Sequence, residues 1–233
     1  MKAFARGMAG VLFAALAANG AMACSEETDP QMFDALQIAK IKKSAGKTHF
    51  HDTQCDAGAK GLDACRRKAF VMPGDVLLLG DIYDTTACAT FVDAKGRATS
   101  GIIKGDRVEH DARGESKKAT ALVGRWVREE ALITVTRKGD DFVFAGEATY
   151  GGKDPRRVAM GSVNSGVFDF VTRPVANRIS VGLKDGEKAV AKSEADATDC
   201  HLDMIALGPY LVVRDNQQCG GMNVSFTGIY RKR

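Results

Sequence analysis

Two histidines close together in the N-terminal half are the residues of this chain best suited to chemistry. His49 and His51 alternate along the stretch THFHD, so both side chains would lie on one face of a strand, with Asp52 and Cys55 close behind. Imidazole, carboxylate and thiolate groups bind zinc in proteins, and the group is a conceivable metal site. The spacing matches no zinc motif, so the sequence favours a structural or surface role, and no metal or cofactor is predicted.

The other candidates for catalysis do not form a recognised arrangement. Ser162 and Ser165 lie in GSVNSG, which lacks the Gly-x-Ser-x-Gly pattern of a hydrolase nucleophile. Glu129 and Glu130 are adjacent, so on a strand they would face opposite sides and could not act as an acid–base pair. The chain has 4 histidines, and its sequence holds no phosphate-binding loop and no dinucleotide-binding fingerprint. We therefore predict a protein that is not an enzyme.

Residues 1–23 predict export. Lys2 and Arg6 precede an apolar stretch from about Met8 to Ala18, and the small-x-small sequence Ala21-Met22-Ala23 follows as a cleavage site. The apolar stretch is too short to span a bilayer, so a secretory signal peptide is favoured over a membrane anchor. The predicted location is the periplasm, with the protein either free or anchored to a membrane as a lipoprotein.

The first residue after this site, Cys24, raises a second processing route. The sequence AMAC resembles a bacterial lipobox, and the resemblance implies that Cys24 is lipidated and anchors the chain in a membrane leaflet. All 6 cysteines follow the signal, and an even number fits three disulfides in an oxidising compartment. A lipidated Cys24 would leave five cysteines, and hence one free thiol. The cysteine count does not decide between the two.

The charge balance argues against nucleic acid as a partner. The chain has 33 basic and 29 acidic residues, and removal of the signal leaves 31 basic residues. A mature charge of about +2 is too weak for electrostatic binding of a phosphate backbone. Contact with a membrane is predicted only through a lipid anchor on Cys24.

The first half of the mature chain divides into three predicted segments. Residues 24–64 form an N-terminal extension with one short helix, because apolar residues recur at helical spacing in MFDALQIAKIKKSAG and Gly46 would end the helix. From 65 to 109, short β-rich runs alternate with turns such as Pro73-Gly74-Asp75. The polar stretch 110–119 is a linker between domains, or else a long loop within one domain.

The runs VMPGDVLLL and ACATFVDAKGRATSGII resemble a bacterial SH3-like domain. Domains of this family carry Thr-x-Gly-Trp before their last strand, and here Thr99-Ser100-Gly101 is followed by Ile102. The resemblance implies a small barrel of short strands over residues 65–109. Many of these domains bind cell-wall peptides or other ligands through aromatic clefts, and the missing tryptophan argues against that role.

Residues 120–233 predict an all-β domain. The runs LITVTR and DFVFAGEATY alternate apolar and polar residues around KGDD, which is a hairpin signal. Further strands are predicted in SGVFDFVT, RISVGL, DMIALGPYLVVRD and MNVSFTGIY. The complete prediction is an all-β protein: a small SH3-like barrel, then an up-and-down β-barrel or a sandwich, with one short N-terminal helix.

A tryptophan at the start of this domain and an arginine at its end resemble the lipocalins and related small barrels. In such barrels Gly-x-Trp lies on the first strand, and a late basic residue stacks on the indole ring. The resemblance implies that Trp126 and Arg231 form a structural clamp, and that the last strand closes the barrel by pairing with the first. The ending DNQQCGGMNVSFTGIYR also resembles uncharacterised exported proteobacterial proteins.

Two disulfides are predicted from the chain positions of the cysteines. Cys200 and Cys219 flank a strand, a turn and the start of another strand, which could bring the two together. A bridge there would close a loop of roughly twenty residues and stabilise the fold by about 3 kcal/mol. In the N-terminal half, Cys55–Cys65 is favoured over Cys65–Cys88, and the remaining cysteine would pair with Cys24 or stay free.

These features favour binding over catalysis. The preferred hypothesis is a non-catalytic envelope protein, such as an inhibitor or immunity protein against a lysozyme or protease that reaches the periplasm. Loops at 151–166 and 184–199 would then contact the enzyme. The alternatives are a lipoprotein that binds the cell wall, a small ligand or other envelope proteins, and an accessory of a cell-wall hydrolase. A further alternative is an envelope enzyme, such as a cell-wall hydrolase with an SH3-like targeting domain, whose candidate site is the group around His49 and His51.

Overall fold

The computed structural model describes residues 35–53, 61–82, 85–111 and 116–233. About 54% of these described residues are in strands, which form two sheets, one of them a nearly closed barrel. The predicted all-β fold with a barrel is confirmed. Within the described part of the chain, no helix is both long and apolar enough to cross a membrane.

The first sheet contains seven antiparallel strands in the order β3-β2-β6-β5-β4-β1-β7. The strands are β1 (Gln37–Ile41), β2 (Thr48–His51), β3 (Arg66–Val71), β4 (Val76–Ile82), β5 (Thr86–Val92), β6 (Ala98–Lys104) and β7 (Val108–His110). The expected turns separate β3 from β4 at 72–75 and β5 from β6 at 93–97. The sheet begins at Gln37, well ahead of the boundary predicted at residue 65.

The predicted N-terminal helix is wrong over the residues that the structure describes. β1 occupies the middle of that segment and pairs with both β4 and β7, and a 3-10 helix at Lys43–Ala45 follows it. Ile38 packs toward the barrel, whereas Ala39 and Ile41 pack into the core of the first sheet. A strand buried on both faces lacks period-two alternation of apolar and polar residues. The spacing of the apolar residues in β1 therefore matched a helical pattern and led to the wrong prediction.

The second sheet contains nine antiparallel strands in the order β11-β10-β9-β8-β16-β15-β14-β12-β13. They are β8 (Gly124–Arg128), β9 (Ala131–Lys138), β10 (Asp141–Tyr150), β11 (Asn164–Thr172), β12 (Arg178–Lys184), β13 (Lys188–Val190), β14 (Cys200–Leu207), β15 (Tyr210–Asp215) and β16 (Gly228–Lys232). The predicted hairpin at KGDD is confirmed, since β9 pairs with β10 across Gly139-Asp140. The described part of the chain has one α-helix, α1 (Pro155–Ala159), between β10 and β11.

The last strand closes this sheet by pairing with the first, as the sequence predicts. Arg231 and Lys232 of β16 pair with Val127 and Trp126 of β8. The remaining gap lies between β11 and the short hairpin β12–β13, whose outer strand approaches β11. The barrel is therefore closed between its first and last strands, β8 and β16, and it is open between β11 and β13.

The clamp on Trp126 uses a different cation from the one predicted. Lys232 Nζ lies 4.9 Å from the centre of the Trp126 ring, whereas the Arg231 guanidinium lies 5.2 Å from that of Tyr210. Neighbouring residues of a strand face opposite sides, and Lys232 is the residue directly opposite Trp126. The cation that contacts Trp126 is thus Lys232, one residue after the predicted Arg231, and Arg231 lies on the outer face of the barrel.

Side chains fill the interior of the barrel. Trp126, Phe144, Leu202, Phe226 and Tyr230 are completely buried within one continuous apolar cluster. A 3-10 helix at Ala119–Leu122 lies against this cluster, and the Leu122 carbonyl accepts a 2.7 Å hydrogen bond from the Trp126 indole. The described interior of the barrel is therefore packed as a core.

The two sheets pack directly on each other. A separate buried cluster joins the first sheet to the outer face of β14 and β15. Its fully or nearly buried members are Ile38, Leu78, Val92, Ile205, Leu207, Tyr210 and Val212. The Tyr210 hydroxyl donates a hydrogen bond across this interface to the Val76 carbonyl.

The segment predicted as a linker is partly structured. His110 belongs to β7, and the Asp111 backbone donates a 2.9 Å hydrogen bond to Ile38. The Asp111 carboxylate also lies 2.7 Å from Lys40 Nζ. These contacts attach the start of the segment to the first sheet.

Candidate binding surface

The strand directions collect five connections at one end of the barrel, which we call the loop end. They are the β8–β9 turn at 129–130, the segment 151–163 with α1, the β12–β13 turn at 185–187, the segment 191–199 and the loop 216–227. Both of the loops predicted to contact an enzyme, 151–166 and 184–199, lie here. In the structure, residues 164–166 begin β11 and residues 188–190 form β13.

The helix α1 at the loop end forms for local reasons. Asp154 caps it, because its carboxylate accepts a 2.9 Å hydrogen bond from the Arg156 backbone, and Pro155 occupies the first turn. Gly161, with φ +63°, then turns the chain back toward β11. This short, capped helix holds Val158 and Met160 at the surface, where they are 55% and 72% exposed.

The loop 216–227 is fixed by covalent and polar contacts. The predicted Cys200–Cys219 disulfide is confirmed, and it joins the loop to the start of β14. Asp215 accepts hydrogen bonds from the side chains of Ser225 and Thr227 and from the Phe226 backbone. These contacts define the conformation of the loop on both sides of its tip.

Met222 lies at the tip of this loop and is 78% exposed. The Asn164 side chain donates a 2.7 Å hydrogen bond to the Met222 carbonyl, which connects the tip to the start of β11. Gly166 and Gly220 also approach so closely that a Cβ on Gly166 would lie 2.7 Å from Gly220 Cα. The loop tip is therefore held beside the start of β11, the strand that follows the α1 segment.

Four exposed apolar or aromatic side chains lie at this end of the barrel. Tyr150, Val158, Met160 and Met222 are all exposed, and the Arg157 guanidinium lies 4.7 Å from the centre of the Tyr150 ring. We call these five residues the loop-end surface. Methionine, tyrosine and arginine are enriched in protein interfaces, and a rigid exposed apolar cluster is typical of a protein-binding site.

Two clefts run from the loop end across the outer face of β8 to β11. One has a volume of about 550 Å³ and lies between the sheet and the β12–β13 turn. The other, of about 510 Å³, lies over β8 to β11 at the loop end, and Arg125 and Arg233 are among its lining residues. Leu132, Glu147 and Val167 line both clefts, so the two form one continuous groove.

The histidine group considered for metal binding is not brought together. His49 Nδ1 lies 3.0 Å from the Arg67 carbonyl, and His51 Nδ1 lies 3.2 Å from the Ile102 carbonyl. His51 Nε2 faces Asp63 at 3.6 Å, but both oxygens of that carboxylate are held by Lys104. Cys55 lies outside the described residues, among which no three His, Cys, Asp or Glu residues form a metal-binding group.

The other residues considered for catalysis have local contacts. Ser162 Oγ donates a hydrogen bond to the Arg157 carbonyl, and the Ser165 carbonyl accepts one from the Gly221 backbone. Glu129 forms an ion pair with Lys153, and Glu130 accepts a hydrogen bond from the Lys153 backbone. All of these residues contribute to the rim of the loop end.

The cysteines of the first sheet are oxidised. Cys65 and Cys88 are each in a disulfide, and no described cysteine is free. Cys55, the predicted partner of Cys65, and Cys24, the predicted lipidation site, lie outside the described residues. Both assignments stay predictions.

Fold and surface together define an all-β protein of two packed sheets, whose barrel carries a rigid apolar surface at one end. No protein-family model, curated protein or solved structure matches this chain.

Proposed function

We propose that this is a non-catalytic binding protein of the bacterial envelope, which inhibits an enzyme acting in the periplasm by docking through its loop-end surface. The single observation that carries the proposal is the exposure of Val158, Met160 and Met222 on segments held in place by a helix cap and a disulfide. Since these segments are already ordered, binding loses little conformational entropy.

The packing of the barrel supports a surface role rather than a ligand-storage role. Its described interior is filled by aromatic and aliphatic side chains, and the clefts lie on its outside. Inhibitors that present preformed loops on a rigid scaffold change little on binding, which suits a fold of this kind.

The test compares two triple variants of the mature, oxidised protein as bait for envelope extracts. Val158→Ser/Met160→Ser/Met222→Ser changes the loop-end surface. Met72→Ser/Ile82→Ser/Val175→Ser changes three residues that are also 48–75% exposed but lie elsewhere. Captured enzymes, and a panel of lysozymes and periplasmic proteases, are then assayed for inhibition.

We expect the wild type and the second variant to inhibit one captured enzyme, and the loop-end variant to lose at least about 2 kcal/mol of binding energy, a thirtyfold or larger rise in Kd. The proposal is overturned if no captured enzyme is inhibited, or if both variants inhibit as well as the wild type.

A further inference from the structure

The larger cleft of the outer groove is lined by unpaired carboxylates, and their position follows from strand register. Glu147 of β10 is opposite Leu132 of β9 and Val167 of β11 in one row, and Asp169 pairs with Ala145 in the next row. These residues face outward because their neighbours along the strands, such as Phe168, are buried inside. Apolar side chains and carboxylates therefore alternate across the floor of the groove.

The β12–β13 turn adds two more carboxylates to the larger cleft. Asp185 and Glu187 line it together with Glu147 and Asp169, and none of its described lining residues is a lysine or arginine. Within the described part of the chain, none of these four carboxylates forms an ion pair or accepts a hydrogen bond.

Eight carboxylates outside the groove in the described structure, by contrast, lie within 4.0 Å of a basic side chain. They are Asp63 with Lys104, Asp93 with Arg97, Asp106 with Arg107, Asp111 with Lys40, Glu129 with Lys153, Asp140 with Arg137, Asp141 with Arg173, and Asp203 with Lys192. The groove thus concentrates four carboxylates that repel one another, and an external cation would relieve the repulsion.

The lining of the groove suits a basic side chain better than a metal ion. No three of its carboxylates are placed to hold a metal ion. A lysine or arginine side chain fits better, because its aliphatic stem can lie on Leu132, Ala145 and Val167 while its charged end reaches the carboxylates.

We propose that the groove receives a lysine- or arginine-bearing segment of a cationic protein. The inference rests on the proposed function, since it names the charge of the partner that binds at the loop end. The groove is continuous with that surface, because Thr149 of β10 and Ser165 of β11, which flank the 151–163 connection, line its second cleft. Arg125 and Arg233 also line this second cleft, so the negative charge of the groove is concentrated in the larger one. One partner could therefore contact both.

The test uses a fluorescent hexa-arginine peptide as the probe and two variants with equal charge change. Glu147→Gln/Asp169→Asn/Asp185→Asn/Glu187→Gln neutralises the groove. Asp106→Asn/Glu109→Gln/Asp140→Asn/Glu194→Gln neutralises four exposed carboxylates elsewhere. Circular dichroism checks folding, and Glu147→Gln/Asp169→Asn alone serves as the test should the fourfold groove variant not fold.

We expect the peptide to bind the wild type and to bind the groove variant at least about tenfold more weakly, with a twofold or smaller change in the control. Added salt should weaken wild-type binding, and NMR shift changes should map to β10, β11 and residues 185–187. Absence of wild-type binding, or equal weakening in both variants, would overturn the inference. The inhibition assays above are separate, so a failure of the groove is distinguishable from a failure of the loop-end surface.

Discussion

At the scale of single residues, Asp203 is a carboxylate held in the outer layer of the barrel by three partners. Lys192 Nζ and Ser180 Oγ each lie 2.6 Å from its oxygens, and Arg214 Nη2 lies 2.7 Å away. Burial alone would raise the pKa of Asp203, but the hydrogen bonds from these three groups outweigh it and hold the pKa below its usual value.

Asp203→Asn should lower the free energy of unfolding at pH 7 by about 1–2 kcal/mol, because Lys192 and Arg214 would keep their charges without the carboxylate. A lowered folded-state pKa gives stability that is present above the unfolded pKa and is lost as the pH falls through the folded one. Urea unfolding at pH 7 and at pH 2 should therefore show a difference between variant and wild type that shrinks in acid. The control is Asp140→Asn, whose exposed pair with Arg137 spans 4.0 Å; an equal loss there would contradict the prediction.

Some residue contacts follow from the sequence and others do not. The Cys200–Cys219 bridge was predictable, because a strand and a turn lie between the two cysteines. The cation over Trp126 was missed by one position, since the register of β16 against β8 fixes which basic residue faces inward. The groove was not predictable at all: Glu147 and Glu187 belong to different hairpins, which meet only in the folded barrel.

At the scale of elements, turns and hairpins were the features that the sequence predicted best. Strands β9 to β12 lie where alternating apolar residues predict them, and Gly208-Pro209 divides the predicted strand 203–215 into β14 and β15. β1 was misread as a helix because both of its faces are buried. Period-two alternation of apolar and polar residues identifies a strand with one solvent-exposed face. It does not identify a strand whose two faces are both buried.

Gly96, in the turn between β5 and β6, allows the first sheet to touch the barrel. Its φ is +81°, and a Cβ there would lie 2.6 Å from Arg128 Cα; its carbonyl accepts a 3.1 Å hydrogen bond from the Glu129 backbone. Gly74 has a similar φ of +89°, but nothing lies within 4 Å of where its Cβ would be.

Gly96→Ala should therefore lower the free energy of unfolding by about 1–2 kcal/mol more than Gly74→Ala, since both introduce backbone strain of about 1 kcal/mol but only the first forces the sheets apart. Urea unfolding of both variants measures the difference. Equal losses would show that the contact at Gly96 contributes nothing to the packing of the sheets.

At the scale of the whole molecule, two buried tyrosines link stability to alkaline pH. Tyr210 lies in the interface between the sheets and Tyr230 in the barrel core, and burial raises the pKa of each from 10.0 to about 12. Each stays neutral in the folded protein over a range where it ionises in the unfolded chain. Stability is therefore lost as the pH rises from 10 to 12.

The expected loss is about 2–3 kcal/mol per tyrosine by pH 12. Denaturant titrations at pH 9 and pH 12 should show a smaller loss in Tyr210→Phe and in Tyr230→Phe than in the wild type. The pH 9 value of each variant separates the effect of the missing hydroxyl from that of ionisation. A loss in both variants as large as that of the wild type would contradict the assignment.

The interface between the sheets also constrains the order in which parts of the protein can fold during synthesis. The first sheet packs on β14, β15 and the edge of β16, which are the last strands of the chain. Because a ribosome releases the N-terminus first, residues 37–110 emerge long before the surface that covers them. Ile38, Leu78 and Val92 are then exposed to solvent until the last strands are synthesised. A product of interrupted translation would leave this apolar face, which is buried in the complete protein, accessible to chaperones and proteases.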